Sequence, residues 1–133
     1  MKVSSVDRAD FRFGEYGPGY VARGPRTDMG FVRLRPGDEA ANHYHERIEE
    51  DFYVIQGEAT LWVDGSQSFT MHPGDMYQME PGEMHYFINE SSEIFLALFV
   101  KAPYDPADGV KVPWRPGEDI QAKLKEIKEA SHG

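Results

Sequence analysis

The chain has 133 residues, 40% of them hydrophobic and 13% aromatic, enough apolar mass for one packed domain and too few residues for a second core. Its 23 acidic and 14 basic side chains leave a formal charge of −9, which repels phosphate backbones and anionic headgroups, so neither nucleic acid nor a membrane surface is expected as a partner. There is no cysteine. Disulfides and thiolate ligands are thereby excluded, and any metal must be held by imidazole and carboxylate.

Residues 1–10 (MKVSSVDRAD) lack the apolar core of a secretory signal, and the longest apolar run, residues 94–100, is far shorter than a membrane span. The expectation is a cytoplasmic protein. Residues 1–29 read as an irregular arm, with Phe11, Phe13, Tyr16 and Tyr20 set among Gly14, Gly17, Pro18, Gly19, Gly24 and Pro25. Such a segment cannot build its own core, so its rings are expected to lie over the rest of the domain or over a partner subunit.

From residue 30 the texture changes to short β-rich runs with turn punctuation. Strands are expected over residues 30–34, 51–56, 59–63, 66–71, 76–79, 85–88 and 94–100, broken by Pro36-Gly37, Gly57, Asp64-Gly65, Pro73-Gly74 and Pro81-Gly82. His43 and His45 belong to a further strand. Seven or eight strands at this spacing predict an all-β sandwich or barrel. In residues 30–35 either Val32 and Leu34 or Arg33 and Arg35 face the interior, and a solvated arginine face is the simpler reading. After Lys101 comes a proline-rich loop, then a helix over 118–130. Glu118 and Asp119 fall in its first turn, and Ile120, Leu124 and Ile127 form a narrow docking stripe. The chain thus divides into an arm (1–29), a barrel core (30–100) and a C-terminal loop and helix (101–133), all within one domain.

Chemistry concentrates in four residues. Side chains alternate along a strand, so His43 and His45 point to one face, where two imidazoles can converge on one ion. Glu50 heads the strand that follows, and His85 arrives from a later strand. Glu49 is the neighbouring carboxylate, and the spacing to Gly57 favours Glu50. Three neutral imidazoles and one carboxylate suit a divalent transition metal: iron, manganese, nickel, cobalt or zinc. His72, before a Pro-Gly turn, and His132, at the tail, read as exposed.

The stretch GDEAANHYHERIEEDFYVIQG, residues 37–57, resembles the first motif of the cupin family in its spacing of Gly37, His43, His45, Glu50 and Gly57. GDMYQMEPGEMHYFIN, residues 74–89, resembles the second, with Gly74, Gly82, His85 and Asn89 in place and one departure, Glu80 where that motif has proline. The resemblance covers residues 30–100 and implies a jelly-roll β-barrel holding one divalent metal per chain through His43, His45, Glu50 and His85. Asn89 is expected in the strand-end scaffold and not as a ligand. No other cofactor is implied, and no catalytic residue beyond the ligands is assigned.

Four protein ligands leave a five- or six-coordinate ion room for substrate. The resemblance therefore implies a small-molecule enzyme, foremost a dioxygenase. An isomerase, epimerase or lyase on a sugar-like or keto-acid substrate is the second reading, and a non-catalytic binding barrel the third. Strand parity places Phe52 and Val54 beside Glu50 and Phe87 beside His85 as an apolar wall. Tyr53, Tyr77, Tyr86, Trp62 and Met79 are further lining candidates, each read more simply as core or interface. A homodimer is expected, with part of residues 10–27 in its interface.

Overall fold

The protein is described by a computed structural model covering residues 1–132; the side chain of His132 lies outside the described residues. After a short 3-10 turn at Val6–Arg8 the strands run β1 (Asp10–Phe13), β2 (Tyr16–Arg23), β3 (Asp28–Leu34), β4 (Glu39–Tyr44), β5 (Glu49–Gln56), β6 (Ala59–Val63), β7 (Gln67–Met71), β8 (Met76–Met79), β9 (His85–Ile88), β10 (Phe95–Ala102) and β11 (Val110–Lys111), followed by helix α1 (Ile120–His132). They form two antiparallel sheets, ordered β1-β2-β3-β10-β5-β8 and β11-β4-β9-β6-β7. One buried cluster joins the inner faces of both: Val32, Phe52, Val54 and Phe99 from the first sheet interlock with Leu61, Met71 and Phe87 from the second. This is the jelly-roll architecture expected of the alternating pattern. No helix among the described residues is long and apolar enough to cross a membrane.

The arm is the main correction. Residues 10–23 are not irregular: β1 pairs with β2 and β2 with β3, extending the first sheet. Glycine and proline, which argued against strands, make this pairing possible. The Phe11 ring lies flat on Gly19, where any Cβ would collide with it. Phe11, Tyr16 and Tyr20 are half-buried, while Phe13 remains 63% exposed. On β3, Val32 and Leu34 point inward. Arg33 packs on the Phe11 ring outside, so the arginine face is indeed the outer one.

The turns follow the sequence closely. Asp64 and Gly65 take φ of 54° and 64°, the left-handed pair of a tight hairpin between β6 and β7. Gly57 has φ of 74° and abuts the Ile94 carbonyl, leaving no room for a side chain. Asn89 is fully buried, and its amide donates to the carbonyls of Leu34 and Glu93, a scaffold role as expected.

The helix begins later than its acidic residues suggested. Glu118 instead closes a turn with Arg115, accepting from the Arg115 amide, and Asp119 caps the helix by accepting from the amides of Gln121 and Ala122. Ile120, Leu124 and Ile127 dock on a second cluster of Met84, Tyr86, Val112 and Trp114, on the outer face of the second sheet.

Candidate metal centre

Three elements deliver the four residues. His43 and His85 are cross-strand partners on β4 and β9, with ring centroids 4.3 Å apart. His45 lies one residue past β4, at the start of the turn leading to β5. Glu50, on β5, comes from the opposite sheet, so the cluster bridges the two layers. Glu49 has the opposite parity on β5, and Glu50 is the carboxylate grouped with the three histidines. Glu50 Oε1 lies 2.9 Å from His85 Nε2, 3.1 Å from His45 Nε2 and 3.7 Å from His43 Nε2. One candidate donor atom from each residue lies within 4.8 Å of the others. His45, Glu50 and His85 are buried, and His43 is half-buried.

The outer nitrogens fix the chemistry of the inner ones. His43 Nδ1 faces the Ala41 carbonyl at 2.8 Å, His45 Nδ1 the Asp108 carbonyl at 2.6 Å, and His85 Nδ1 the Glu83 carbonyl at 3.3 Å. A carbonyl only accepts, so Nδ1 is the donor in each of these contacts; Glu50 Oε1 also only accepts, so its Nε2 contacts at 2.9 and 3.1 Å need a proton or a cation between the atoms. With all three rings neutral and protonated at Nδ1, three lone pairs and an anionic oxygen would face one another at close range. That repulsion is relieved by extra protons or by a cation at their centre, and the donor set fits a divalent transition metal.

Without an ion, protons shared between the imidazoles and Glu50 provide that relief. Burial pushes the Glu50 carboxyl up, but hydrogen bonding to His43, His45 and His85 outweighs it and holds the carboxyl well below the usual carboxylate range. Burial lowers His85 below the ordinary histidine value despite Glu50, favouring the neutral ring that a metal requires. For His45, burial lowers the value, but contacts with Glu50 and the Asp108 carbonyl raise it further, giving a net rise.

Asp108, in the loop between β10 and β11, is a residue sequence reasoning missed. Besides its carbonyl contact to His45, its carboxylate accepts from the amides of Glu46, Arg47 and Ile48 at 2.8 to 2.9 Å. It therefore pins the turn that separates His45 from Glu50. Only its place in a Pro- and Asp-rich loop hinted at such a role, because the contact spans some sixty residues of sequence.

The cluster opens onto a cavity of roughly 420 Å³. Phe52, Phe87, Phe99, Val32 and Pro18 form its apolar wall, and Arg12, Lys101 and Lys111 also line it. Phe52 and Phe87 thus stand where parity placed them, whereas Val54 lies deeper, fully buried in the core. None of the five further lining candidates reaches the cavity. Tyr77 and Met79 belong to the inner core, Trp62 and Tyr86 to the layer under α1, and Tyr53 is exposed. His72, with its side chain 54% exposed, stands apart beside Glu58 and Asp75.

Residues 30–101 match the family model described as the cupin domain. Over 91 residues the chain is 31% identical to quercetin 2,3-dioxygenase of Bacillus subtilis, covering 65% of this chain and 27% of that protein. It is 34% identical over 79 residues to polyketide synthase CurC of Streptomyces cyaneus, covering 59% and 50%. The chain thus spans no more than half the length of these two relatives. Among solved structures, a double-stranded β-helix protein from Klebsiella pneumoniae superposes with a TM-score of 0.74 at 26% identity, over 84% of this chain and 96% of that one. A cupin sugar phosphate isomerase from Silicibacter pomeroyi superposes with a TM-score of 0.62 at 25% identity, over 71% and 65%.

Proposed function

Because the chain belongs to the cupin family, we propose that it is a metal-dependent enzyme acting on a small oxygenated molecule, in the manner of a dioxygenase. The observation that carries the proposal is the convergence of three imidazoles and a carboxylate beside a cavity of roughly 420 Å³ with an aromatic wall. His43, His45, Glu50 and His85 would hold the metal. A divalent transition metal bound there supplies Lewis acidity, together with one-electron chemistry toward dioxygen if it is iron or manganese.

The chain's own residues do the rest. Carbonyl contacts at each Nδ1 keep the three rings oriented with their inner nitrogens toward the cluster, where a metal would take the place of protons. Phe52 and Phe87 exclude water beside the cluster, which strengthens electrostatic interactions with a bound oxygen atom. The likeness to the quercetin dioxygenase supports the oxidative reading. The likeness to the sugar phosphate isomerase supports the second, non-redox isomerisation or elimination.

The deciding experiment is chelation followed by add-back of iron, manganese, nickel, cobalt or zinc, with diketones, flavonols and keto-sugars screened with and without air. Turnover that needs both iron or manganese and oxygen is the expected result. Turnover with several metals and no oxygen selects isomerisation or elimination, and no turnover with any metal leaves a binding barrel. The proposal includes a cytoplasmic homodimer. The absence of cysteine and the exposure of Phe13 on the edge hairpin support it. Light scattering on the full chain tests the dimer, and a monodisperse monomer would contradict it.

A further inference from the structure

The cavity beside the cluster is lined by two carboxylates, and both are already engaged. Glu50 faces the three imidazoles, and Glu39 accepts from the Tyr86 hydroxyl and pairs with Arg115 at 3.0 Å. The three cations that line the same cavity are not. No carboxylate lies within 4.0 Å of Arg12, Lys101 or Lys111 among the described residues. In a chain whose net charge is −9, three uncompensated cations around one cavity are a local reversal of sign.

Lys101 sits deepest in this arrangement. It lies near the end of β10, at the inward parity of Phe95, Ala97 and Phe99, and its register partners are Glu50 on β5 and Asp28 on β3. Its ammonium donates to the Tyr20 hydroxyl at 2.7 Å and lies 5.1 Å and 5.4 Å from the centroids of the Tyr20 and Phe99 rings. Asp28 is near in register yet forms no ion pair with it. An ammonium has three donors, and a neutral phenol satisfies only one of them. A half-buried cation with spare donors, facing a cavity with an aromatic wall, is arranged to receive an anion.

We propose that the substrate of this cavity is a small aromatic or enolic carboxylate, whose carboxylate binds the Lys101 ammonium and the Tyr20 hydroxyl while its reacting oxygen faces the His43–His45–Glu50–His85 cluster. The assignment names the substrate class of the function proposed above and rests on that reading. Two donors at one point match the two oxygens of a carboxylate. A phosphate dianion calls for more donors than Lys101 and Tyr20 provide, typically an arginine fork or a row of backbone amides. Arg12 and Lys111, both exposed, attract the anion toward the mouth.

The test is calorimetric binding of three probes, benzoate, the isosteric neutral benzamide and phenyl phosphate, to the full chain as purified. Each titration is repeated after chelation, and metal content is measured separately. Benzoate is expected to bind at least tenfold more tightly than benzamide, with and without metal. Lys101→Met should remove that preference and leave metal content unchanged, and Lys101→Arg should retain it within about threefold. Tyr20→Phe, which deletes only the hydroxyl, should weaken benzoate three- to tenfold and so provides a second reading should Lys101→Met fail to fold. Equal affinity for benzoate and benzamide, or an unchanged preference in either variant, overturns the proposal. Phenyl phosphate tenfold tighter than benzoate overturns the carboxylate in favour of a phosphate. A preference that vanishes on chelation places the anion on the metal and overturns the role of Lys101 while sparing the metal site. A preference that persists in a protein that binds no metal sinks the enzymatic reading and sustains the anion site.

Discussion

Strand β9 carries two polar arrangements on its opposite faces, and they differ in whether they balance themselves. His85 points inward to a cluster of three imidazoles around one carboxylate, with no lysine or arginine among them. Tyr86 points outward, where its hydroxyl donates to Glu39, Arg115 pairs with the same carboxylate, and the Trp114 indole donates to the Glu118 carbonyl at 2.8 Å. The outer network contains its own donors, acceptors and charges, and lies beside the apolar stripe of α1. Burial, then Glu39, pushes the Tyr86 hydroxyl up to about 12, so it remains a donor at any ordinary pH. A polar cluster that closes on itself is structural. One that brings three imidazoles onto a single carboxylate beside a cavity fits an ion in the place of protons.

Acid should separate the two faces most completely. His45, whose value is raised, takes a proton before His85, whose value is lowered, and a proton on an inner nitrogen competes with the metal for its lone pair. Glu50, held low, stabilises the metal-free fold above its unfolded value, and that contribution is lost only as pH falls through its depressed folded value. Dialysis at pH 4.5 is therefore expected to strip the metal while near-ultraviolet dichroism of the tryptophans persists. Retained metal at that pH would contradict a histidine-rich site.

Trp114→Ala tests the outer face alone. The side chain is 2% exposed and packs on Trp62 and Tyr86, so its truncation should cost about 3–5 kcal/mol in denaturant unfolding. The fraction that remains folded should bind metal with wild-type stoichiometry. Asp108→Ala acts on the inner face and replaces none of the four candidate ligands. Freeing the 46–48 turn should weaken metal affinity about 10- to 100-fold by competitive chelation, with a smaller change in melting temperature.

A smaller effect is expected on the outer face of β5. Burial, with Glu49 beside it, raises Asp51 to about 6, so at neutral pH its ionised form opposes folding, and that penalty disappears as pH falls through about 6 toward the unfolded value. Asp51→Asn is expected to stabilise the fold at pH 7 by on the order of 1 kcal/mol, a figure discounted for solvent screening, with little gain near pH 4. His72→Ala should change neither stability nor metal content measurably.

The legible parts of the molecule were those governed by local rules. The β-hairpin at Asp64-Gly65 and the strands from residue 59 to 88 follow from turn chemistry and alternation. The inward pair Phe52 and Phe87 follows from parity alone. The convergence of His43, His45, Glu50 and His85 was foreshadowed by same-face histidines, and the motif spacing supplied the rest. What escaped reading depends on contacts distant in sequence. The strands of residues 10–23 exist because Gly19 fits beneath Phe11 and β2 finds β3, and the same glycines argued locally for coil. Asp108 and Lys101 reach the site from the chain's last third, and no local pattern links either to His45. A lysine at inward parity after an apolar strand was the one available sign.

The central claim is that the inner cluster is completed by a metal ion, and metal stoichiometry tests it most directly. The full chain and its His45→Ala and His72→Ala variants should be loaded with each candidate metal, freed of excess by gel filtration and measured for bound metal per chain. Close to one equivalent is expected for the wild type and for His72→Ala, and a sharp loss for His45→Ala. Equal metal content in the two variants, or none in the wild type, would contradict it.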